Sequence, residues 1–373
     1  MTESEAYVAF NMCDGVGWVR LAALLAKCGG SAVRAWNESG PHLDALGRSV
    51  DWAAECALAA KRRTTIVTMA DAAYPAALRD LASPPLALYV TGDPAALARP
   101  GVAVVGTRHP TVYGEDMARL FARDLARAGW SVVSGLATGV DAAAHKAALA
   151  AKGVTVGVLG GALDKFFPPE NAPLARAIVK AGGAVVSEFP FGRAPDRQTF
   201  PQRNRVVAAL ARGTLAVEAP RGSGTLITCD WAKKLGRAVM AVPANLDSKN
   251  STGCWDLIRA GARCATCAED AIAACGAAGA PAAGKAAPPQ TAAVRNATRR
   301  EKASEPAATP PVQALTLEEA AVLKAVPSGG VSVDMLIHRV KLPPAKVNGA
   351  LVSLRLKKKL RFLPGNRVAP AAV

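Results

Sequence analysis

Glycines, hydroxyls and cations recur in this chain just after short apolar runs, a placement that suits anion binding. Gly106-Thr107-Arg108 follows the run Val102–Val105. The glycine permits a tight turn, the hydroxyl can donate to a phosphate oxygen, and the guanidinium can grip one through two bonds. Ser134-Gly135-Leu-Ala-Thr138-Gly139 follows a second run and leads into a helix pattern near Asp141. Its small residues leave the helix N-terminus open to an anion. Gly160-Gly161 and then Lys165-Phe166-Phe167-Pro168 follow a third run. A cation beside aromatics can serve a backbone phosphate and a stacked base together. Arg203-Asn204-Arg205 opens another helix pattern, with two guanidiniums near its positive end, and this calls for an anion or carboxylate opposite. Glu218 ends a further run, and Arg221-Gly-Ser223-Gly-Thr225 supplies one more glycine-rich turn with hydroxyls.

These turns matter only if one scaffold gathers them. The runs Val102–Val105, Trp130–Val133, Val154–Leu159, Ala184–Val186, Thr214–Val217 and Ala238–Val242 read as buried strands. Ala-rich helical patterns lie between them, at Asp116–Ala128, Asp141–Ala151, Leu174–Ala181, Asn204–Arg212 and Leu226–Leu235. Strands alternating with helices predict an α/β fold, a Rossmann-like doubly wound parallel sheet. Ligands of such sheets bind beyond the carboxyl ends of the strands, where these turns fall.

The chain divides into four parts by this reading. Residues 1–68 form a small helical domain, in which Gly15-Val-Gly17 between helices fits either a helix-hairpin-helix or an ordinary turn. Residues 69–275 form the α/β domain, and 276–312, rich in Ala and Pro, a flexible linker. Residues 313–373 show three helices and a hairpin, the outline of a winged helix. From Lys285 onward stand fifteen Lys or Arg against five Asp or Glu, +10 of the chain's +16. The cluster Arg355, Lys357, Lys358, Lys359 and Arg361 is either a polyanion patch or a solvated helix end. A net charge of +16 points to a polyanionic partner.

Other classes are disfavoured. The first turn is not G-x-G-x-x-G, and no G-x-x-x-x-G-K-[ST] occurs, so neither a dinucleotide site nor a P-loop is expected. His145 stands one turn after Asp141 and reads as a structural rather than a catalytic group. Cys264-Ala-Thr-Cys267 has no second pair, so its thiols read as reduced and no metal is expected. No apolar run reaches the roughly 18 residues of a membrane span, and the start lacks the apolar core of a secretory signal. A cytoplasmic location is expected.

The segments 102–108, 134–145, Phe-Pro-Gln-Arg-Asn-Arg (200–205), Val-Glu-Ala-Pro-Arg-Gly-Ser-Gly-Thr-Leu-Ile-Thr (217–228) and Ala-Val-Pro (241–243) resemble the DNA-processing protein A (Smf) family. The likeness runs in order over about residues 70–265. It implies a non-enzymatic, cofactor-free protein that binds single-stranded DNA, forms a homodimer, and delivers strands to the RecA recombinase during natural transformation. It also implies a sterile-alpha-motif-like N-terminus and a winged-helix-like C-terminus. Family DNA-binding positions carry over onto Arg108 and Lys165, while Arg203, Asn204 and Arg205 either contact DNA or brace the pocket. Gly106, Thr107, Ser134, Gly135, Gly160, Phe166, Ser223 and Thr225 complete the candidate interface. Thr107 stands in place of the family's usual serine, and Phe167 in place of tyrosine. A rival is a nucleotide-cleaving Rossmann enzyme of the lysine-decarboxylase-like phosphoribohydrolase type. That chemistry needs a glutamate just after Gly-x-Gly-Thr, and here no carboxylate follows Thr225 until Asp230.

Overall fold

The structure, a computed structural model, describes residues 1–39, 50–276, 315–327, 331–340, 342–357, 359–363 and 367–370. It divides into two compact units, within residues 1–287 and 288–373. The linker expected over 276–312 lies, Gly276 apart, outside the described residues.

The first unit opens with four helices, α1 (Glu3–Met12), α2 (Trp18–Lys27), α3 (Ala32–Ser39) and α4 (Trp52–Lys61). Thr2 and Glu5 start α1 with reciprocal side-chain caps, and Asp51 caps α4 through the Ala54 N–H. Two strands follow, β1 (Thr64–Thr68) and β2 (Ala87–Gly92). Strict alternation begins with β3 (Gly101–Val105), α5 (Val112–Arg127), β4 (Ser131–Ser134), α6 (Val140–Ala150), β5 (Thr155–Val158) and α7 (Ala172–Lys180). It continues through β6 (Ala184–Ser187), α8 (Thr199–Leu210), β7 (Gly213–Ala216), α9 (Gly224–Lys234) and β8 (Ala238–Ala241). The unit closes on α10 (Thr252–Arg259), β9 (Arg263–Cys264) and α11 (Ala268–Cys275).

Among the described residues these strands form one sheet in the order β1-β2-β6-β5-β4-β3-β7-β8-β9. The stretch from β6 to β9 is parallel, whereas β2 joins β6 antiparallel and β1 closes that edge. Both faces are covered, as the side-chain alternation requires. Val102 and Val104 face a core with Phe121, Leu125 and Ala144 of α5 and α6. Ala103 and Val105 face the opposite core, which includes Val206 and Val207 of α8 and reaches Phe10 and Leu21 of the N-terminal helices. That helical block therefore shares a core with the sheet. Residues β3 to β6 step outward on one side and β7 to β9 on the other, so the strand order reverses between β3 and β7. A crevice opens there.

The second unit holds α12 (Leu317–Ala325), β10 (Val331–Ser332), α13 (Val333–Val340), α14 (Pro344–Leu356), β11 (Leu360–Leu363) and β12 (Arg367–Pro370). Its strands pair antiparallel in the order β10-β12-β11, and Val322, Leu336, Val347, Leu351, Leu354 and Val368 fill its core. This is a winged-helix arrangement. Lys357 of its basic cluster donates to the buried Glu319 at 2.7 Å. That bond and those from Ser353 and the Thr316 N–H hold the Glu319 carboxyl down at about 2. One cation of the cluster is thus engaged within the unit.

Candidate functional site

The turns after β3, β4 and β7 meet the start of α8 around a cavity of about 350 Å³. Gly106, Thr107, Arg108, Gly135, Arg203, Asn204, Ser223 and Thr225 line it, with Asp141 and Phe200. A smaller space of about 90 Å³ adjoins it between Arg108, Phe167, Glu170 and Phe200.

Close backbone packing makes the turns. Gly139, at φ +78°, starts α6 where a Cβ would lie 2.5 Å from the Thr107 carbonyl oxygen, so only glycine fits. Gly135 leaves room for a guanidinium, since a Cβ there would sit 2.5 Å from Arg203 Nη1. Below the β3 turn, the Glu218 carboxylate accepts the Thr111 N–H at 2.9 Å and the Thr111 hydroxyl at 2.6 Å, and Thr111 in turn caps α5. The Thr107 N–H donates to the Glu218 carbonyl at 2.7 Å, which ties the β3 and β7 turns together.

Arg203 is only 6% exposed. Its Nη1 donates to the carbonyls of Gly135 and Val158, at the carboxyl ends of β4 and β5, and its Nε donates to Asn204 at 3.1 Å. Burial pulls its pKa down to about 10; the Asp141 charge opposes that fall and the Arg108 charge adds to it. Asp141 is also buried, and burial raises its pKa against the pull of Arg203. Its Oδ2 accepts the Gly135 N–H at 3.0 Å. A carboxylate of the protein thus sits in the first turn of α6, where the sequence suggested room for an external anion. His145 bonds elsewhere: Thr155 donates to the Val132 carbonyl at 2.6 Å and so accepts from His145 Nδ1 at 2.7 Å. Burial depresses His145 to about 3, with Arg203 assisting. Arg205, two positions on along α8, points away and pairs with the half-buried Glu188. In this structure both guanidiniums are bonded within the fold, Arg203 to strand-end carbonyls and Arg205 to Glu188.

The groups left facing the cavity are different ones. Arg108 is exposed and makes no ion pair among the described residues; its guanidinium carbon lies 5.3 Å from the Phe200 ring centroid. Phe200 stands 6.0 Å from Phe167, which is 46% exposed. Opposite, Ser223 starts α9 without capping it, and its buried Oγ has no hydrogen-bond partner. The first N–H groups of a helix lack intrahelical acceptors, so Gly224 and Thr225 present donors beside that hydroxyl. Asn204 donates to the Gly224 carbonyl at 3.1 Å and holds this turn against α8.

The remaining candidates lie outside this group. Ser134 is fully buried and donates to the Val104 carbonyl at 2.7 Å. Gly160 makes space for Phe200, whose Cδ1 would be 2.7 Å from a Cβ there. Lys165 is exposed on the loop after β5, and Phe166 packs against the core around Leu136 and Ile178. Its neighbour Phe167 faces the small space instead. Phe167 and Phe200 line these spaces but were not in the sequence-derived candidate set. Phe200 sits one helical turn before Arg203, and that spacing on α8 was the available signal.

Fold and crevice together define a Rossmann-like α/β protein with an arginine-bearing, aromatic-walled crevice and a separate winged-helix unit. Residues 65–276 match the family model described as DNA recombination-mediator protein A, and residues 306–366 match the DprA winged helix domain. The chain belongs to the DNA-processing protein A (DprA/Smf) family. It is 40% identical over 206 residues to Protein Smf of Synechocystis and 38% identical over 203 residues to DNA processing protein DprA of Streptococcus pneumoniae. These matches take in 54% of this chain each, and 52% and 71% of the relatives. The chain thus spans about half the length of the Synechocystis relative. The X-ray structure of DNA processing protein A from Streptococcus pneumoniae matches with a TM-score of 0.62 and 30% identity, over 73% of this chain and 98% of that one. A Helicobacter pylori DNA processing protein A structure, described for its single-stranded DNA binding mode, matches at TM-score 0.51 and 31% identity, over 56% and 94%. No helix among the described residues is long and apolar enough to cross a membrane.

Proposed function

We propose that this chain binds single-stranded DNA in the crevice between β3 and β7, acting as a binding protein and not as an enzyme. The observation that carries the reading is Arg108: exposed, free of ion pairs among the described residues, and stacked on Phe200 across from the uncapped start of α9. A phosphate between them meets a guanidinium on one side and the first N–H groups of α9 on the other. An adjoining base lies against Phe200 and Phe167, because every base has a face to stack. The similarity to the Helicobacter pylori protein supports the same reading. The glutamate that such nucleotide cleavage places just after Gly-x-Gly-Thr has no counterpart at the start of α9: Glu218 is engaged by Thr111, Asp141 by the Gly135 N–H, Asp230 is exposed and does not line the crevice, and Glu170 lines only the adjoining small space.

On the strength of the family resemblance, the protein acts in the cytoplasm as a homodimer and passes strands to the RecA recombinase during natural transformation. A salt titration of labelled oligo-dT tests the reading. Binding should weaken steeply with salt, by about 0.7 in the log–log slope for each phosphate engaged. No binding at low salt, or a slope near zero, would refute it.

A further inference from the structure

The N-terminal helices touch neither wall of the crevice, yet they hold the loops that build one of them. Loop 159–168 carries Phe167, and loop 188–198 leads into α8 and Phe200. The two loops grip each other. The Ala162 N–H donates to the Arg193 carbonyl at 2.9 Å, the Gly192 N–H donates to Asp164 Oδ1 at 2.9 Å, and Pro195 packs flat on Gly161.

Helix α4 holds this pair from outside. Glu55, 6% exposed, accepts the Phe191 N–H on Oε1 at 2.8 Å. Arg62, two turns further on, lies 5.3 Å from the Phe191 ring centroid and 3.9 Å from Asp164 Oδ2. Helix α1 adds a bond from Asn11 to the Glu188 carbonyl at 3.1 Å, at the root of loop 188–198. Docking an alanine-rich helix on a core does not require a buried carboxylate, which is expensive to desolvate without partners. Here Oε1 accepts a loop amide while the carboxylate also lies beside the buried Tyr89 hydroxyl of β2, so Glu55 ties the loop to the sheet as well as to α4.

We infer that Glu55, assisted by Arg62, is a positioning residue for the single-strand site. Helix α4 sets loops 159–168 and 188–198, and through them Phe167 and Phe200, without touching the strand. The inference rests on the crevice being the DNA site.

The test measures oligo-dT affinity of the full chain together with amide exchange and melting temperature. Glu55→Ala should weaken binding about tenfold while the protein stays folded, a coupling typical of packed networks. Exchange should quicken over 189–193 and 162–166. Glu55→Gln keeps an oxygen for the Phe191 N–H and should stay within about twofold of the parent. Asp164→Ala cuts the same link from the loop side and should weaken binding about threefold. A folded Glu55→Ala protein that binds normally overturns the inference, as does a Glu55→Gln protein that loses as much as Glu55→Ala. If Glu55→Ala does not fold, unchanged affinity in Asp164→Ala overturns it instead. Absence of binding by the parent chain defeats the crevice reading itself, a distinct result.

Discussion

Replacing Arg203 with methionine keeps most of the side-chain volume and removes the charge, so it separates bracing from binding. In the parent, Nη1 satisfies the carbonyls of Gly135 and Val158, and the guanidinium charge offsets buried Asp141. A buried acceptor left without its donor costs about 1–3 kcal/mol, and two carbonyls lose theirs here. The two carbonyls share one donor and relax together, so a total of about 2–4 kcal/mol follows, and Asp141, losing a compensating charge nearby, can take up a proton. That is a large share of the roughly 5–15 kcal/mol that holds a domain together. Urea unfolding followed by tryptophan fluorescence reads the loss. All six tryptophans, from Trp18 to Trp255, lie before residue 276, so the signal reports the first unit alone. The deficit should depend on pH. Without Arg203 the folded-state pKa of Asp141 rises further above its unfolded value, so its neutral form is favoured. Stability is then retained at low pH and lost as pH rises through that folded value. The gap to the parent should therefore be narrower at pH 5 than at pH 8, and Asp141→Asn added to Arg203→Met should recover part of it. A loss below about 1 kcal/mol with a tenfold drop in oligo-dT affinity would refute the bracing role and make Arg203 a contact.

Arg108→Ala should do the reverse: lose at least tenfold in single-strand affinity, about 1.5–3 kcal/mol for a charge-assisted contact, with an unchanged melting temperature. Normal affinity in that variant would place the strand elsewhere. Phe167→Leu should weaken oligo-dT by about 1 kcal/mol or more if a base stacks there, and leave the salt slope unchanged, since no phosphate contact is removed. His145 is depressed from 6.5 to about 3, so the unfolded chain takes up a proton there before the folded one does. Its share of stability should fall as pH drops from 6.5 towards 3, by about 2 kcal/mol at pH 5. Unfolding midpoints of His145→Gln against the parent at pH 7 and 5 check this, and parallel pH dependence in the two would contradict it.

The parallel strands were legible because Val- and Ala-rich runs of four or five residues, buried on both faces, have few other uses. β1 and β2 were not. Their residues, Thr-Thr-Ile-Val-Thr and Ala-Leu-Tyr-Val-Thr-Gly, join the sheet antiparallel at its edge, outside the β-α alternation that revealed the rest. β9 is two residues long, too short for any periodicity. In the crevice, Arg108 was legible from its place at a strand end. The division between Phe166 and Phe167 was not, because a loop has no period to say which neighbour faces the core. The opposed directions of Arg203 and Arg205 could have been read from α8, where two residues are about 200° apart around the axis.

The two arginines of the crevice explain why it should attract an anion. Strand ends present carbonyl oxygens, the negative ends of peptide dipoles, towards any ligand beyond them. Arg203 covers two of these, from β4 and β5, and so removes a repulsion that a phosphate would otherwise meet. It does so while held in a buried site where its charge is less favourable than in water, and Arg108 adds to that penalty. Two like charges kept close by the fold repel each other, and an anion placed between or beside them relieves that repulsion. The relief is available only to a ligand that carries charge, and it is largest where water is excluded. Arg108, exposed and backed by Phe200, is free to close on such a ligand, while Arg203 is not. On the proposed reading one cation prepares the surface and the other engages the ligand. That division is why loss of the first should appear in stability and loss of the second in affinity.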